Sequence, residues 1–114
     1  TSLSIVSSIT VGSNPEQMAV SGNKLFVTNS GGFNFPNYDS TVSVIDIPSL
    51  AETNKIMVGI NPRRIVADNS GNLYVVASGD YNTIGPKLVK LSAAAEAVTF
   101  SADSPLNFMT TSFL

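Results

Sequence analysis

Two short segments place charged side chains at matching points. Pro15 is followed by Glu16, and Pro62 by Arg63-Arg64, within a stretch that occurs twice: Val11-Gly12-Ser13-Asn14-Pro15 and Val58-Gly59-Ile60-Asn61-Pro62. A guanidinium presents planar, paired donors, so Arg63 and Arg64 suit an anionic ligand. The alternative is pairing with Glu16 or other carboxylates, or plain solvation; the sequence leaves both open for Arg63 and favours this alternative for Arg64. A second group lies in two long turn-rich segments, Gly31–Ser40 and Gly79–Pro86. The first carries Phe33, Phe35 and Tyr38 among Asn and Asp; the second carries Asp80 and Tyr81. Aromatic faces beside amides and carboxylates suit sugar or peptide recognition. The alternative is that these rings pack their loop onto its own sheet. Asp39, Asp80 and Asn82 offer oxygens that calcium accepts. Their spacing lacks a dense run of acidic ligands, which favours ordinary Asx turns.

The chain has neither histidine nor cysteine. Disulfides, thiolate metal sites and a cysteine nucleophile are therefore excluded, and the commonest general base is missing. Nothing marks a serine or threonine as a nucleophile, so no catalytic residue, metal site or cofactor is expected. The formal charge is −2 and only 12% of residues are charged. With no basic run, binding to nucleic acid or to an anionic membrane surface is disfavoured. No apolar run approaches the roughly 20 residues of a membrane span. The 43% apolar content still provides for a core.

These side chains must be positioned by strands. Strand-like runs bounded by Gly, Pro, Asn, Asp and Ser lie near 3–11, 17–21, 24–29, 41–47 and 55–58. Others lie near 64–68, 73–78, 88–91, 97–101 and 106–110. Ala93-Ala94-Ala95-Glu96-Ala97 is the one helix-friendly stretch, and its length predicts a turn instead. Leu25-Phe26-Val27 and Leu73-Tyr74-Val75-Val76-Ala77 are apolar without alternation, as expected of strands covered on both faces. The repeat shift of 47 (Gly12 to Gly59) gives four strands per period. Stacked four-stranded units of that size describe β-propeller blades.

The repeat resembles the YVTN family of β-propellers. The residues that carry the likeness in the first unit are Val11-Gly12, Pro15, Leu25-Phe26-Val27-Thr28-Asn29 and Thr41-Val42-Ser43-Val44-Ile45-Asp46. The second unit is looser: Val58-Gly59, Pro62, Leu73-Tyr74-Val75-Val76-Ala77 and Lys87-Leu88-Val89-Lys90-Leu91-Ser92, with Ala77 for Asn and Ser92 for Asp. The resemblance implies an all-β fold of about two four-stranded blades, 12–58 and 59–101. An orphan outer strand over 1–11 and an orphan inner strand over 102–114 flank them, giving an incomplete ring. The expected partners are the remaining blades, whether in the same protein or in another chain. Asp46 is expected to cap the turn after its strand.

The likeness is narrowest to the surface-layer propellers of Bacteroidetes and to YncE-like periplasmic proteins. It implies a location outside the cytoplasm, at the cell surface or in the periplasm of a bacterium. The function implied is non-enzymatic binding or scaffolding, with a glycan, peptide or envelope protein held at the loop face. The candidate ligand-binding residues are Phe33, Phe35, Tyr38, Arg63, Asp80 and Tyr81. The competing expectations are a lyase- or lactonase-type propeller enzyme whose catalytic residues lie in other blades, and a purely structural repeat.

Overall fold

The computed structural model describes residues 8–32, 37–80 and 85–103. They form eight strands: β1 (Pro15–Ser21), β2 (Lys24–Asn29), β3 (Thr41–Asp46), β4 (Ala51–Met57), β5 (Pro62–Ala67), β6 (Asn72–Ala77), β7 (Lys87–Ser92) and β8 (Ala97–Asp103). They build two four-stranded antiparallel sheets, β1-β2-β3-β4 and β5-β6-β7-β8, and contain no α-helix. The alanine-rich stretch is the β7–β8 turn, as its length predicts.

The core lies between the sheets. Cross-strand partners share a face, so the rows Ala19–Phe26–Val44 and Val42–Ile56 project from one side of the first sheet. They meet Ile65, Leu73, Val75, Val89 and Leu91 of the second. Phe26 and Tyr74 hold equivalent repeat positions, yet only Phe26 is enclosed. The row Val66–Tyr74–Lys90–Phe100 lies on the far face of the second sheet, where Val66 and Phe100 are exposed. The sheets therefore stack in the same sense, front of one against back of the next. They approach most closely at β1 and β5 and diverge towards β4 and β8.

Local devices recur with the repeat. Each outer strand carries a bulge, and a threonine hydroxyl there donates back across the ladder: Thr53 to the Val44 carbonyl (3.4 Å) and Thr99 to the Lys90 carbonyl (3.3 Å). Asp46 caps its turn by accepting from the Ser49 N–H (3.0 Å) and hydroxyl (2.6 Å). These bonds hold the Asp46 carboxyl below the usual aspartate range. In the second unit Ser92 does the same work, accepting from the Ala95 N–H at 3.1 Å. The substitution of Ser for Asp at this position thus preserves the cap.

Several expected boundaries shift. The inner strands begin at Pro15 and Pro62, each two residues early, because proline as the first residue of a strand forfeits no ladder donor. Strand β4 begins at Ala51, not near 55; its first residues are polar and mostly exposed, so no apolar pattern announces them. Residues 102–103, expected to open a following unit, instead extend β8 by pairing with Leu88 and Lys87. Of the strand expected over 3–11, only 8–11 are described, and they lie outside any strand. The strand expected near 106–110 lies outside the described residues.

Candidate functional site

The ends of the sheets differ in what they gather. One end collects the tight β1–β2, β3–β4, β5–β6 and β7–β8 turns. The other collects the two long loops, 30–40 and 78–86, and the crossing from β4 to β5. Gly22 and Gly71 supply the positive φ (61° and 82°) that the tight turns need. At the long-loop end the chain is fastened by a repeated pair of bonds. Ser30 N–H donates to the Asn14 carbonyl and Gly31 N–H to the Ser13 carbonyl; Ser78 and Gly79 repeat this with Asn61 and Ile60. Asn14 and Asn61 both take positive φ to allow it. The sequence carries the signal for this clasp, since Ser30-Gly31 returns as Ser78-Gly79.

Asp39 organises the first of these loops. Its carboxylate accepts from the N–H groups of Ser13 (2.9 Å), Ser40 (2.6 Å) and Thr41 (3.1 Å) and from the Thr41 hydroxyl (2.7 Å). Partial burial pushes the Asp39 pKa up, but these bonds together outweigh it and hold the group below its usual value. The Asp39 oxygens, among those suited to calcium, are thus engaged in a turn. Among the described residues there is no group of three or more acidic side chains that could hold a metal ion.

Where β1 and β5 approach, Glu16, Gln17, Arg63 and Arg64 line an open cleft of about 170 Å³. A bulge interrupts β1 between Pro15 and Met18 and β5 between Pro62 and Arg64. Bulges of this kind re-aim side chains and are common beside functional sites. Arg63 pairs with Glu16 at 3.4 Å, and Glu16 also accepts from the Ser30 hydroxyl at 3.3 Å. Gly32 lies over the pair: a Cβ there would stand 3.5 Å from Arg63 Nη1. Gln17, unremarked in the sequence, bridges the sheets by accepting the Ile65 N–H at 2.9 Å. Its own backbone N–H is taken by the Thr28 hydroxyl at 3.1 Å.

Of the six candidate binding residues, three are described. Arg63 stands in this cleft, paired with Glu16, which is one of the two arrangements its position suited. Tyr38 is partly buried in the 30–40 loop, against Gly31, and Asp80 is partly buried in the 78–86 loop; both are engaged in interactions. Phe33, Phe35 and Tyr81 lie outside the described residues, as does Asn82.

The opposite end holds a second opening, of about 520 Å³, bordered by the tight turns and by Lys24 and Asp46. There Lys24 reaches across to the second sheet, pairing with Glu96 at 2.6 Å and donating to the Ala93 carbonyl at 3.0 Å. Asn54 adds a bond to Glu96 at 3.2 Å. These contacts fasten one sheet to the other.

Together these features define an all-β chain of two stacked four-stranded antiparallel sheets, with a charged cleft at the edge where the sheets are closest. The fold is shared with hydrazine synthase of Kuenenia stuttgartiensis, which matches 90% of this chain with a TM-score of 0.73 at 23% identity. The chain spans 27% of the length of that protein. No family model matches the chain, and no curated protein matches it.

Proposed function

We propose that this chain is part of a YVTN-type β-propeller, outside the bacterial cytoplasm, that binds rather than transforms its ligand. The carrying observation is the same-sense stacking of two equivalent sheets, closest at β1 and β5 and splayed at β4 and β8. Repetition of that step generates a ring of blades with the inner strands around a channel. The partners are then the remaining blades, from the same protein or another chain, which cover the exposed Val66 and Phe100 on one side and Met18, Val20 and Met57 on the other. The ligand, a glycan, peptide or envelope protein, sits on the end that gathers the long loops. Loops held by a rigid scaffold are where binding residues concentrate. The extracytoplasmic location rests on the family resemblance and on the sparsely charged surface.

The test uses the full parent protein, imaged for ring closure and screened against glycans and envelope peptides. Tyr38→Ala and Phe35→Ala are expected to abolish capture while the protein still melts cooperatively. An open stack in the images, or capture indifferent to both substitutions, overturns the proposal.

A further inference from the structure

The two repeats differ in charge at the cleft between β1 and β5. Glu16 of the first unit is replaced by Arg63 in the second, and Gln17 by Arg64. Gln17 does scaffold work: its side-chain oxygen satisfies the backbone N–H of Ile65 on the free edge of the neighbouring strand. Arginine has no acceptor and cannot do this for a following strand. Thr28, whose hydroxyl fills the bulge at Gln17, is likewise replaced by Val76. A position that abandons a structural rule its twin obeys is a candidate for function.

We infer that this cleft reads the carboxylate of an acidic sugar, with Arg64 as the residue that recognises it. Arg63 is already engaged by Glu16, whereas the Arg64 guanidinium has no partner among the described residues. Its fork matches the two oxygens of a carboxylate. The cleft carries two guanidiniums and one carboxylate, a balance that suits a singly charged group better than a phosphate dianion. Drug-sized ligands occupy about 300–1,000 Å³; the cleft, at about 170 Å³, seats one substituted ring edge. Gln17 uses its oxygen on Ile65, which leaves its amide N–H groups as donors, while Glu16 is an acceptor beside them. Donors next to an acceptor fit a carboxylate flanked by a hydroxyl, as in a uronic acid. An acidic amino-acid side chain offers no such hydroxyl.

This inference rests on the binding reading above and narrows its ligand. It is tested by calorimetric titration of the full parent protein with glucuronate and galacturonate, against glucose, galactose and glutamate. The uronates should bind at least about tenfold more tightly than the neutral sugars, the weight of one charge-assisted hydrogen bond. Arg64→Gln should erase that preference and Arg64→Lys should keep part of it, with unchanged thermal melts. Equal affinity for neutral sugars, indifference to Arg64→Gln, or tighter binding of glutamate overturns the inference. If neutral glycans are still captured through Tyr38 without uronate preference, only this inference falls. If a folded protein captures no ligand, the binding reading falls with it.

Discussion

Replacing Asp39 by Ala removes four accepted hydrogen bonds and frees the 30–40 loop from the segment that leads into β1. Hydrogen bonds to a charged acceptor contribute about 1.5–3 kcal/mol each when shielded. Here the carboxylate is only partly buried and water replaces much of what is lost, so the net cost is set at about 2–3 kcal/mol, somewhat above a typical helix-cap deletion. Asp39→Asn keeps an acceptor for Ser40 and Thr41 but forfeits the Ser13 bond, and should cost about 1 kcal/mol. The Asp39 pKa is depressed in the folded state. Its contribution is therefore present above the unfolded aspartate value of about 3.9 and lost as pH falls through the lower folded value. Urea titrations at neutral and acid pH measure this directly. The gap between parent and Asp39→Ala should shrink on acidification, and millimolar calcium should leave the melting temperature unchanged. An Ala variant within about 0.5 kcal/mol of the parent at neutral pH refutes the reasoning, since that is the range of an uninvolved surface position. A calcium-dependent rise would restore Asp39 as a metal ligand.

Phe26→Ala should cost about 3–5 kcal/mol because the ring is enclosed between the sheets, whereas its repeat twin Tyr74→Ala should cost about 1–2 kcal/mol in the 114-residue chain. In a parent protein with a further sheet stacked on β5–β8, the two costs should converge, and chemical denaturation of both lengths makes the comparison. Glu96→Gln should cost about 0.5–1 kcal/mol at low salt by loosening the Lys24 contact. The hydrogen bond from Lys24 lowers the Glu96 pKa, so this difference should vanish as pH falls through that lowered value, and thermal melts against pH and salt will show whether it does.

The sheets were legible because their apolar runs are bounded by turns that carry Gly and Asn at repeated offsets. β2 and β6 fell within a residue of expectation for that reason. β4 was half hidden: Glu52, Asn54 and Lys55 pair on an outer edge strand with Thr53 at its bulge, and an exposed edge imposes no hydrophobic period. The sequence also placed Asp46 as a cap, but not Ser92, since serine is too common for its role to stand out. Arg63 and Glu16 were paired as candidates by the repeat alone. Gln17 was not, because its partner is a backbone N–H across the sheet boundary, which side-chain chemistry cannot announce.

Every strand pairing among the described residues joins consecutive strands: β1 with β2, β2 with β3, β3 with β4, and the same through β5 to β8. Each sheet can therefore assemble from hairpins of consecutive strands, on the microsecond scale typical of hairpins. Contacts of large sequence separation enter only when Phe26 and its neighbours meet Leu73 and Val75. The topological cost that slows most all-β domains is concentrated in that single docking step. The kinetics of this chain should accordingly answer to the Lys24–Glu96 and Gln17–Ile65 contacts that guide docking, more than to the ladder within either sheet.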